Sequence, residues 1–296
     1  MQLLQAVQLR EWDQFSIREQ QIESVDLMER AAQAAVDWIT QRYGTEQAVY
    51  IFCGSGNNGG DGLAISRLLF QRQYQIFVYT LPVVNPSADW QIQLQRLTDI
   101  GVPATPLEQE PDFPCLHANS MVIDALYGTG LNRVITGITA NLIQYLNASE
   151  TRRIAIDIPS GLSCDQPILA PVMLAAQHTL TFQCLKRSFL FAETAPWVGE
   201  IHILDIQLSR RYLQQVSSDW QWLPWHAKWD STCSVETSGR RLQVSAALAT
   251  CSSRVVALGD TCVGSRGLLA ECRVSLQVQK FVQLWEFSNF HCFGYA

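Results

Sequence analysis

The chain has 296 residues, of which 48% are hydrophobic, and its formal net charge is −6. This composition is typical of a globular protein with a sizeable core, and the acidic balance disfavours nucleic acid as the main partner. Nothing in the sequence resembles a secretory signal or the ~20-residue apolar run of a membrane helix, and the nine cysteines lack C-x-x-C spacing, so we expect a cytoplasmic protein without a zinc site or disulfide framework.

Helical and strand patterns alternate along the chain after two leading helices. Leu9, Trp12 and Phe15 mark the first helix, and apolar spacing over residues 25–40 marks the second. The alternation that follows predicts an α/β fold, in which a parallel sheet carries helices on both faces. The predicted strands are 48–53, 74–80, 121–124, 153–157, 178–183 and 200–204, and the helices between the early ones are 62–72, 86–100 and 138–147.

The first predicted strand runs into a glycine-rich segment, Gly54–Gly62, which reads GSGNNGGDG. Glycines let the backbone approach a phosphate, and the N–H groups of a following helix point at such an anion. The segment has no Lys-Ser/Thr pair, which excludes a Walker-type P-loop. The first acid after the second strand is Asp89, which disfavours a nicotinamide dehydrogenase. Asn57, Asn58 and Asp61 are polar groups that a mere tight turn would not require, so the segment predicts a binding loop.

A second polar segment starts where the third predicted strand ends, at Asp124, and reads DALYGTGLNRV. Gly128 and Gly130 allow close backbone approach, and Arg133 can pair with a phosphate through two N–H groups. A carboxylate beside these groups can hold a cation. The alternative is a βα loop whose aspartate caps a helix.

Asp157 ends the next predicted strand and opens the segment DIPSGL. Pro159 and Gly161 favour a turn that leaves Asp157 and the Ser160 hydroxyl facing one crevice. Because ligands of parallel sheets bind beyond the carboxyl ends of the strands, a carboxylate here can bind a sugar or relay a proton. The alternative is an Asx turn at a strand end.

The other polar residues give weaker signals. Lys186 and Arg187 could meet a second phosphate, but a solvated basic pair is the favoured interpretation. The histidines show no ligand spacing and are interpreted as structural: His117, His178, His202, His226 and His291.

These motifs, taken in order, resemble the NAD(P)HX epimerase family, the YjeF N-terminal domain. The similarity covers roughly residues 5–207 and rests on Leu27–Ala31, Gly54–Gly62, Asp124–Leu131 and Asp157–Leu162. The resemblance implies a Rossmann-like three-layer α/β/α sandwich, usually dimeric. It also implies an enzyme that interconverts the R and S epimers of hydrated NADH and NADPH, after which a partner dehydratase restores the reduced nucleotide.

The resemblance further implies roles for individual residues. Asn58, Asp124 and Ser160 would bind a potassium ion, which suits the oxygen ligands that hard cations prefer. Asp157 would contact the substrate, and we expect it to relay the proton during catalysis. The implied substrate-binding residues are Asn57, Asn58, Gly59, Gly60, Asp61, Gly128, Thr129, Gly130, Leu131, Asn132, Arg133, Val134 and Asp157.

The sequence changes character near residue 210. We predict an epimerase domain over 1–210 and an atypical, irregular tail over 211–296 that is rich in cysteine and tryptophan. Many bacterial relatives continue at this point into a dehydratase domain. The tail is interpreted as a frameshifted remnant of that domain, a lineage-specific extension or a disordered segment, and no dehydratase activity is expected.

The alternative function is a non-catalytic module of the same fold that binds nucleotide or RNA and dimerises. The presence of the full polar set favours catalysis over that alternative. This set consists of Asn58, Asp61, Asp124, Asp157 and Ser160.

The expected partners are hydrated NAD(P)H, a second copy of the chain and a separate dehydratase, with no membrane and no nucleic acid.

Overall fold

The computed structural model describes residues 2–82, 85–131, 133–166 and 170–218, together with the backbone of 234–237 and 240–243. The chain divides into two compact units. Gln5–Val216 form the larger unit, and Met1–Leu4 with Ser217–Ala296 form the smaller one. The helices and the large sheet all belong to the larger unit.

The elements of the larger unit alternate as the sequence predicts. Its helices are α1 (Ala6–Gln20), α2 (Ser24–Thr40), α3 (Asn57–Gln71), α4 (Ala88–Asp99), α5 (Gly137–Ala148), α6 (Ala195–Val198) and α7 (Arg210–Gln215), with 3-10 turns at Glu110–Asp112 and Arg187–Leu190. Its strands are β1 (Val49–Cys53), β2 (Ile76–Thr80), β3 (Ala104–Pro106), β4 (Met121–Ala125), β5 (Arg152–Ile156), β6 (His178–Phe182) and β7 (Glu200–Leu204). In the smaller unit, β8 (Ser234–Thr237) and β9 (Arg240–Gln243) form an antiparallel pair.

The seven strands form one sheet in the order β3-β2-β1-β4-β5-β6-β7, and every neighbouring pair is parallel. The chain moves outward from β1 to β3, returns to place β4 beside β1, and then moves outward again to β7. The direction of winding therefore reverses between β1 and β4. Open α/β sheets bind their ligands in the crevice at such a point, beyond the carboxyl ends of the strands.

The side chains of β1 show why the fold has three layers. All five residues of this strand are buried, as in parallel sheets that are covered on both faces. Ile51 packs in the cluster formed with α2 and α3. Tyr50 and Phe52 point the other way and pack in the cluster formed with α5. The predicted α/β/α sandwich with its parallel sheet is confirmed.

The structure differs from the sequence prediction at the start of α3. This helix begins at Asn57 and not near residue 62, so Asn57–Asp61 form its first turn and not a loop. The glycines here allow close packing: a Cβ at Gly59 would lie 1.9 Å from the carbonyl oxygen of Gly54, and one at Gly62 would lie 2.6 Å from the Cβ of Ala125. Glycine is a poor helix former, so the pattern hid the first turn.

The short elements were also missed. Strand β3 has only three residues at the edge of the sheet, too few to show an alternating pattern. Helix α7 lies beyond the predicted boundary at 210, and its Tyr212 stacks on Trp12 with ring centroids 6.1 Å apart. The Tyr212 hydroxyl donates to Glu11 at 2.9 Å. Contacts with α1 thus hold α7 in the larger unit.

The interpretations of the tail fall mostly on residues outside the described ones. From residue 219 onward, the structure describes only the backbone of β8 and β9. Among the described residues, no helix combines the length and the apolarity that crossing a membrane demands.

We predict that Gly54→Ala destabilises the fold. Its Cβ would lie 1.9 Å from the carbonyl oxygen of Leu126, so the ends of β1 and β4 must move apart. We expect the free energy of unfolding, measured in urea, to fall by about 2–4 kcal/mol. Gly130→Ala is the control, because nothing lies within 4 Å of its Cβ position. Equal effects of the two substitutions would contradict the close contact.

Candidate functional site

The carboxyl ends of β1, β4, β5 and β6 meet at one edge of the sheet. Gly54 follows β1, and its N–H donates to the carbonyl oxygen of Ala125 at 3.0 Å. The next segment, after β5, reaches the same place, since the Oγ of Ser160 accepts a hydrogen bond from the N–H of Tyr127 at 3.0 Å. The motifs that lie far apart in the sequence therefore line one crevice at the switch point.

The first turn of α3 directs Asn58 into the protein. Asn58 is buried, whereas Asn57 is exposed. A Cβ at Gly128 would lie 3.2 Å from the Asn58 Cβ, so the segment after β4 packs directly on this side chain. The Nδ2 of Asn58 is buried and has no hydrogen-bond partner among the described residues. A buried amide without a partner is costly, and it is typical of a position that a ligand completes.

The Leu27–Ala31 motif on α2 packs against the first turn of α3. Gly60 approaches Met28 so closely that a Cβ would lie 2.8 Å from its sulfur. Glu29 forms ion pairs with Arg67 of α3 and, at 3.4 Å, with Arg96 of α4. The segment around Met28 and Glu29 thus joins three helices and positions the start of α3.

Asp124 is fully buried and is held by the segment after β5. Its Oδ1 accepts from the Ser160 hydroxyl at 2.6 Å and from the N–H of Leu126 at 3.2 Å, while its Oδ2 accepts from the N–H of Ser160 at 2.8 Å. Burial raises the pKa of Asp124 to about 6, although these hydrogen bonds lower it. Asp124 does not cap a helix, because α5 begins only at Gly137.

The donor set around Asp124 fits a hard cation. A buried carboxylate, the Ser160 hydroxyl and the side-chain carbonyl of Asn58 supply oxygen atoms. Sodium, potassium and calcium ions prefer such ligands over nitrogen or sulfur. A cation here would also offset the cost of burying a charged Asp124.

Asp157 lies one strand further along and forms a buried ion pair. Its backbone adopts a left-handed conformation, with φ of 65°. Its Oδ1 lies 2.7 Å from the Lys186 Nζ and accepts from the N–H of Phe182 at 3.2 Å. The carboxylate thus reaches across to the segment after β6 and does not close an Asx turn on its own segment.

The prediction of a solvated basic pair was wrong. Lys186 and Arg187 are 2% and 6% exposed. Burial alone would lower the pKa of Lys186, but the Asp157 carboxylate outweighs it and holds this pKa above its ordinary value. Lys186 therefore stays charged and neutralises Asp157. Sequence could not show this, because the pairing depends on the return of the chain from β6.

Asp13 of α1 joins the cluster and was missed by the sequence analysis. Burial, together with the nearby Asp157 carboxylate, raises the pKa of Asp13 to about 7, although Lys186 lowers it. Burial also raises the pKa of Asp61 well above its ordinary value, and Asp157, Asp13 and Asp89 add to the effect. Three carboxyl groups with a single lysine cannot all be ionised cheaply, so this cluster holds protons near neutral pH.

The residues of the segment after β4 differ in their exposure to solvent. Gly128, Thr129 and Leu131 are half-buried, and Gly130 is exposed. Arg133 and Val134 are exposed, so the structure does not bring them to the buried carboxylates. Asn132 lies outside the described residues. The remaining predicted binding residues, Gly59 and Gly60, are buried in the first turn of α3.

Comparison with known proteins identifies a matching family. The family model described as YjeF-related protein N-terminus matches residues 24–188. The NAD(P)H-hydrate epimerase of Rhodopirellula baltica is 32% identical over 210 residues, which cover 71% of this chain and 86% of that protein. The NAD(P)H-hydrate epimerase of Limosilactobacillus fermentum is also 32% identical, over 69% of this chain and 96% of that protein.

Longer relatives and a solved structure match as well. A bifunctional NAD(P)H-hydrate repair enzyme of Leishmania braziliensis is 33% identical over 69% of this chain, but the match spans only 36% of that longer protein. The crystal structure of yeast ynu0, YNL200c, superposes with a TM-score of 0.59 and 18% identity, over 73% of this chain and 93% of that one. At that identity the structure supports the fold alone.

We predict that Lys186→Met destabilises the protein by about 3 kcal/mol, because it leaves the Asp157 carboxylate buried without its partner. The double variant Lys186→Met with Asp157→Asn is the control, since it leaves neither charge unpaired. We expect the double variant to recover most of the loss in urea unfolding. Additive losses would show that the two side chains do not interact.

The cluster also predicts a pH-dependent effect of Asp13→Asn. The folded chain keeps the Asp13 proton up to about pH 7, whereas an unfolded aspartate loses it near the ordinary pKa of 3.8. The folded state therefore binds more protons in this window, so the stability that Asp13 contributes falls as the pH rises from about 4 to 7. The asparagine variant does not titrate. Its free energy of unfolding should gain on that of the parent chain by about 1–2 kcal/mol over this window.

The exposed Asp99 supplies the control for this prediction. Asp99→Asn should run parallel to the parent chain across the same pH range. If Asp13→Asn runs parallel too, Asp13 is not a buried member of the cluster.

Proposed function

The chain belongs to the family of YjeF-related protein N-termini, and we propose that it is an NAD(P)H-hydrate epimerase. The relatives of similar length carry that name, and the chain spans 86% and 96% of two of them. In the structure, the observation that carries the proposal is the cluster of Asp13, Asp61, Asp157 and Lys186 near the carboxyl ends of the strands. These groups match the chemistry of an epimerisation.

The reaction needs one proton to be given and taken back. Hydrated NADH or NADPH carries a hydroxyl on a carbon next to the ring nitrogen. Loss of the hydroxyl to an iminium, or opening of the ring, followed by return on the other face inverts this centre. Both routes require an acid and a base near neutral pH, which carboxyl groups with raised pKa values supply.

We assign the proton relay to Asp157. Its carboxylate is 16% exposed, so it borders the crevice while Lys186 holds it from behind. Asp13, whose pKa lies at about 7, can store the proton between the two half-reactions. Burial and the neighbouring carboxylates raise the pKa of Asp61, which favours a protonated carboxyl group that can donate a hydrogen bond to the substrate.

The nucleotide binds at the first turn of α3 and the segment after β4. The first turn of a helix leaves N–H groups without partners inside the helix, which suits the phosphates of the nucleotide. Asn58 approaches Gly128 closely, so the two segments form one cradle. Arg133 and Val134 are exposed and meet the outer part of the substrate. The proposed binding set stays Asn57–Asp61, Gly128–Val134 and Asp157, although Asn132 lies outside the described residues.

The proposed potassium ion would be held by Asn58, Asp124 and Ser160. When bound, it would supply a fixed positive charge beside the phosphates. The buried Asp124 carboxylate and the Ser160 hydroxyl beside it support this assignment. A homodimer, a cytoplasmic location and coupling to a separate dehydratase complete the proposal. The bifunctional relatives, named as repair enzymes, support the coupling, and the four described cysteines, all free thiols, suit a reducing compartment.

The proposal predicts that the full chain converts the epimer that a dehydratase cannot use into the epimer that it can use. A dehydratase in the same mixture should then recover the reduced nucleotide from both epimers. We would mix the chain with R-configured hydrated NADPH, a separate dehydratase and ATP, and follow absorbance of the reduced nicotinamide. The full chain should raise recovery above the dehydratase-only control. Asp157→Asn should lower the epimerisation rate by about 10²–10⁴-fold, while Asp99→Asn, at an exposed site, should not.

Folding of the variants is checked by thermal unfolding, and nucleotide binding by titration. An Asp157→Asn variant that folds, binds nucleotide and epimerises at the parent rate would remove Asp157 from the mechanism. A full chain that binds nucleotide without any recovery would favour the alternative, a non-catalytic binding module.

A further inference from the structure

A second cluster of side chains, which can bind a metal ion, lies at the amino ends of two strands, opposite the carboxyl ends that form the first site. His178 begins β6, and Glu200 begins β7. The two residues pair across the strands, and His202 pairs with Leu180 two positions further on. Because side chains alternate along a strand, residues 178, 200 and 202 all project from the same face. The sequence showed no ligand spacing because His178 lies on β6, whereas Glu200 and His202 lie on β7.

The ligand atoms of this cluster converge on one point. The Nδ1 of His178 lies 3.2 Å from the Nε2 of His202 and 3.4 Å from the Oε2 of Glu200. The Nε2 of His202 lies 3.6 Å from the Oε1 of Glu200. Tetrahedral zinc with bonds of about 2.0–2.1 Å requires its ligand atoms to be about 3.3–3.4 Å apart. The observed separations of 3.2–3.6 Å are close to that requirement, with Glu200 facing the two imidazoles through different carboxylate oxygens.

Neighbouring side chains hold the imidazoles in place. The hydroxyl of Tyr43 lies 3.1 Å from the Nε2 of His178, which leaves the Nδ1 to face the cluster. The Trp38 ring packs against both imidazoles, with centroid separations of 5.2 Å to His178 and 4.5 Å to His202. Such outer contacts, which orient the rings of metal-binding histidines, are a regular part of metal sites.

We propose that His178, Glu200 and His202 form a binding site for a divalent transition-metal ion, with Zn²⁺ as the best match. Two histidines and one glutamate, with a fourth position open to water, form an established zinc ligand set. The side chain of Glu200 is 51% exposed, whereas those of His178 and His202 are 19% and 15% exposed, so the ion enters from the Glu200 side. Among the described residues, no other group of three such side chains brings its ligand atoms together.

The site is distinct from the catalytic cluster. The catalytic groups lie at the carboxyl ends of the strands, whereas the metal-binding side chains lie at the amino ends. The length of β6 separates the two ends by about 13 Å, at ~3.3 Å per residue. Strand β7 is the edge strand of the sheet, so an ion held by Glu200 and His202 together with His178 ties this edge to β6. Metal binding therefore stabilises the edge strand and is independent of the proposed epimerase activity.

Two arginines set the strength of this site. The guanidinium of Arg42 lies 4.3 Å from the ring centroid of Trp38, and that of Arg152 lies 4.6 Å from that of Tyr43. Both positive charges disfavour the binding of a metal ion, and the Glu200 carboxylate is the one anionic ligand of the proposed site. Loss of that carboxylate should therefore weaken metal binding strongly.

The test titrates the untagged, chelator-treated full chain with Zn²⁺ by calorimetry and with Co²⁺ by visible absorption. We expect one saturable ion per chain and a rise in melting temperature. Glu200→Gln and His202→Gln should each weaken binding at least tenfold, and His117→Ala, at an exposed histidine, should not. Glu200→Gln preserves shape at an exposed position and guards against misfolding.

Three outcomes would overturn the proposal. One is the absence of saturable Zn²⁺ binding to the folded full chain. Another is binding that both Glu200→Gln and His202→Gln leave unchanged, which would place the ion elsewhere. The third is a Co²⁺ spectrum with thiolate charge-transfer bands, which would place the ion at cysteines.

Discussion

The close approach of the first turn of α3 to the ends of β1 and β4 is the constraint on which the site depends. Backbone meets backbone here: a side chain at Gly54 or Gly59 would overlap a carbonyl oxygen at 1.9 Å. This contact places Asn58 against Gly128 and joins two segments that are distant in the sequence. Met28 and Glu29 of α2 hold the turn from the other side. Without that contact, the proposed nucleotide-binding segments would not lie together.

The second requirement is the compensation of buried charge. Each carboxyl group at the crevice is handled differently. Asp124 receives hydrogen bonds from Ser160 and Leu126, and Asp157 receives an ion pair from Lys186. Asp13 and Asp61 respond to burial and to the neighbouring carboxylates with raised pKa values. Different environments thus give chemically similar groups different proton affinities, which is how active sites obtain acid and base at one pH.

Most of the fold and of the site motifs could be predicted from sequence. Buried strands and helical spacing carry a strong local signal, and Asp124, Asp157 and Ser160 directly follow strands whose ends meet. Contacts made only in three dimensions could not be predicted. Asp13 lies on an ordinary amphipathic helix, Lys186 pairs with a residue from another segment, and His178 meets His202 only through strand register. The glycines at the start of α3 led to a wrong prediction, because they indicated a loop where the structure has the closely packed first turn of a helix.

The most direct test of the central claim is to follow the two epimers themselves. Pure R and pure S hydrated NADPH would each be incubated with the full chain, without a dehydratase, and the epimer ratio would be followed by chromatography. The account predicts that both mixtures reach the same ratio much faster than the protein-free controls. If neither ratio moves faster than its control while the nucleotide binds, the chain is a binding module and the carboxyl cluster has another use.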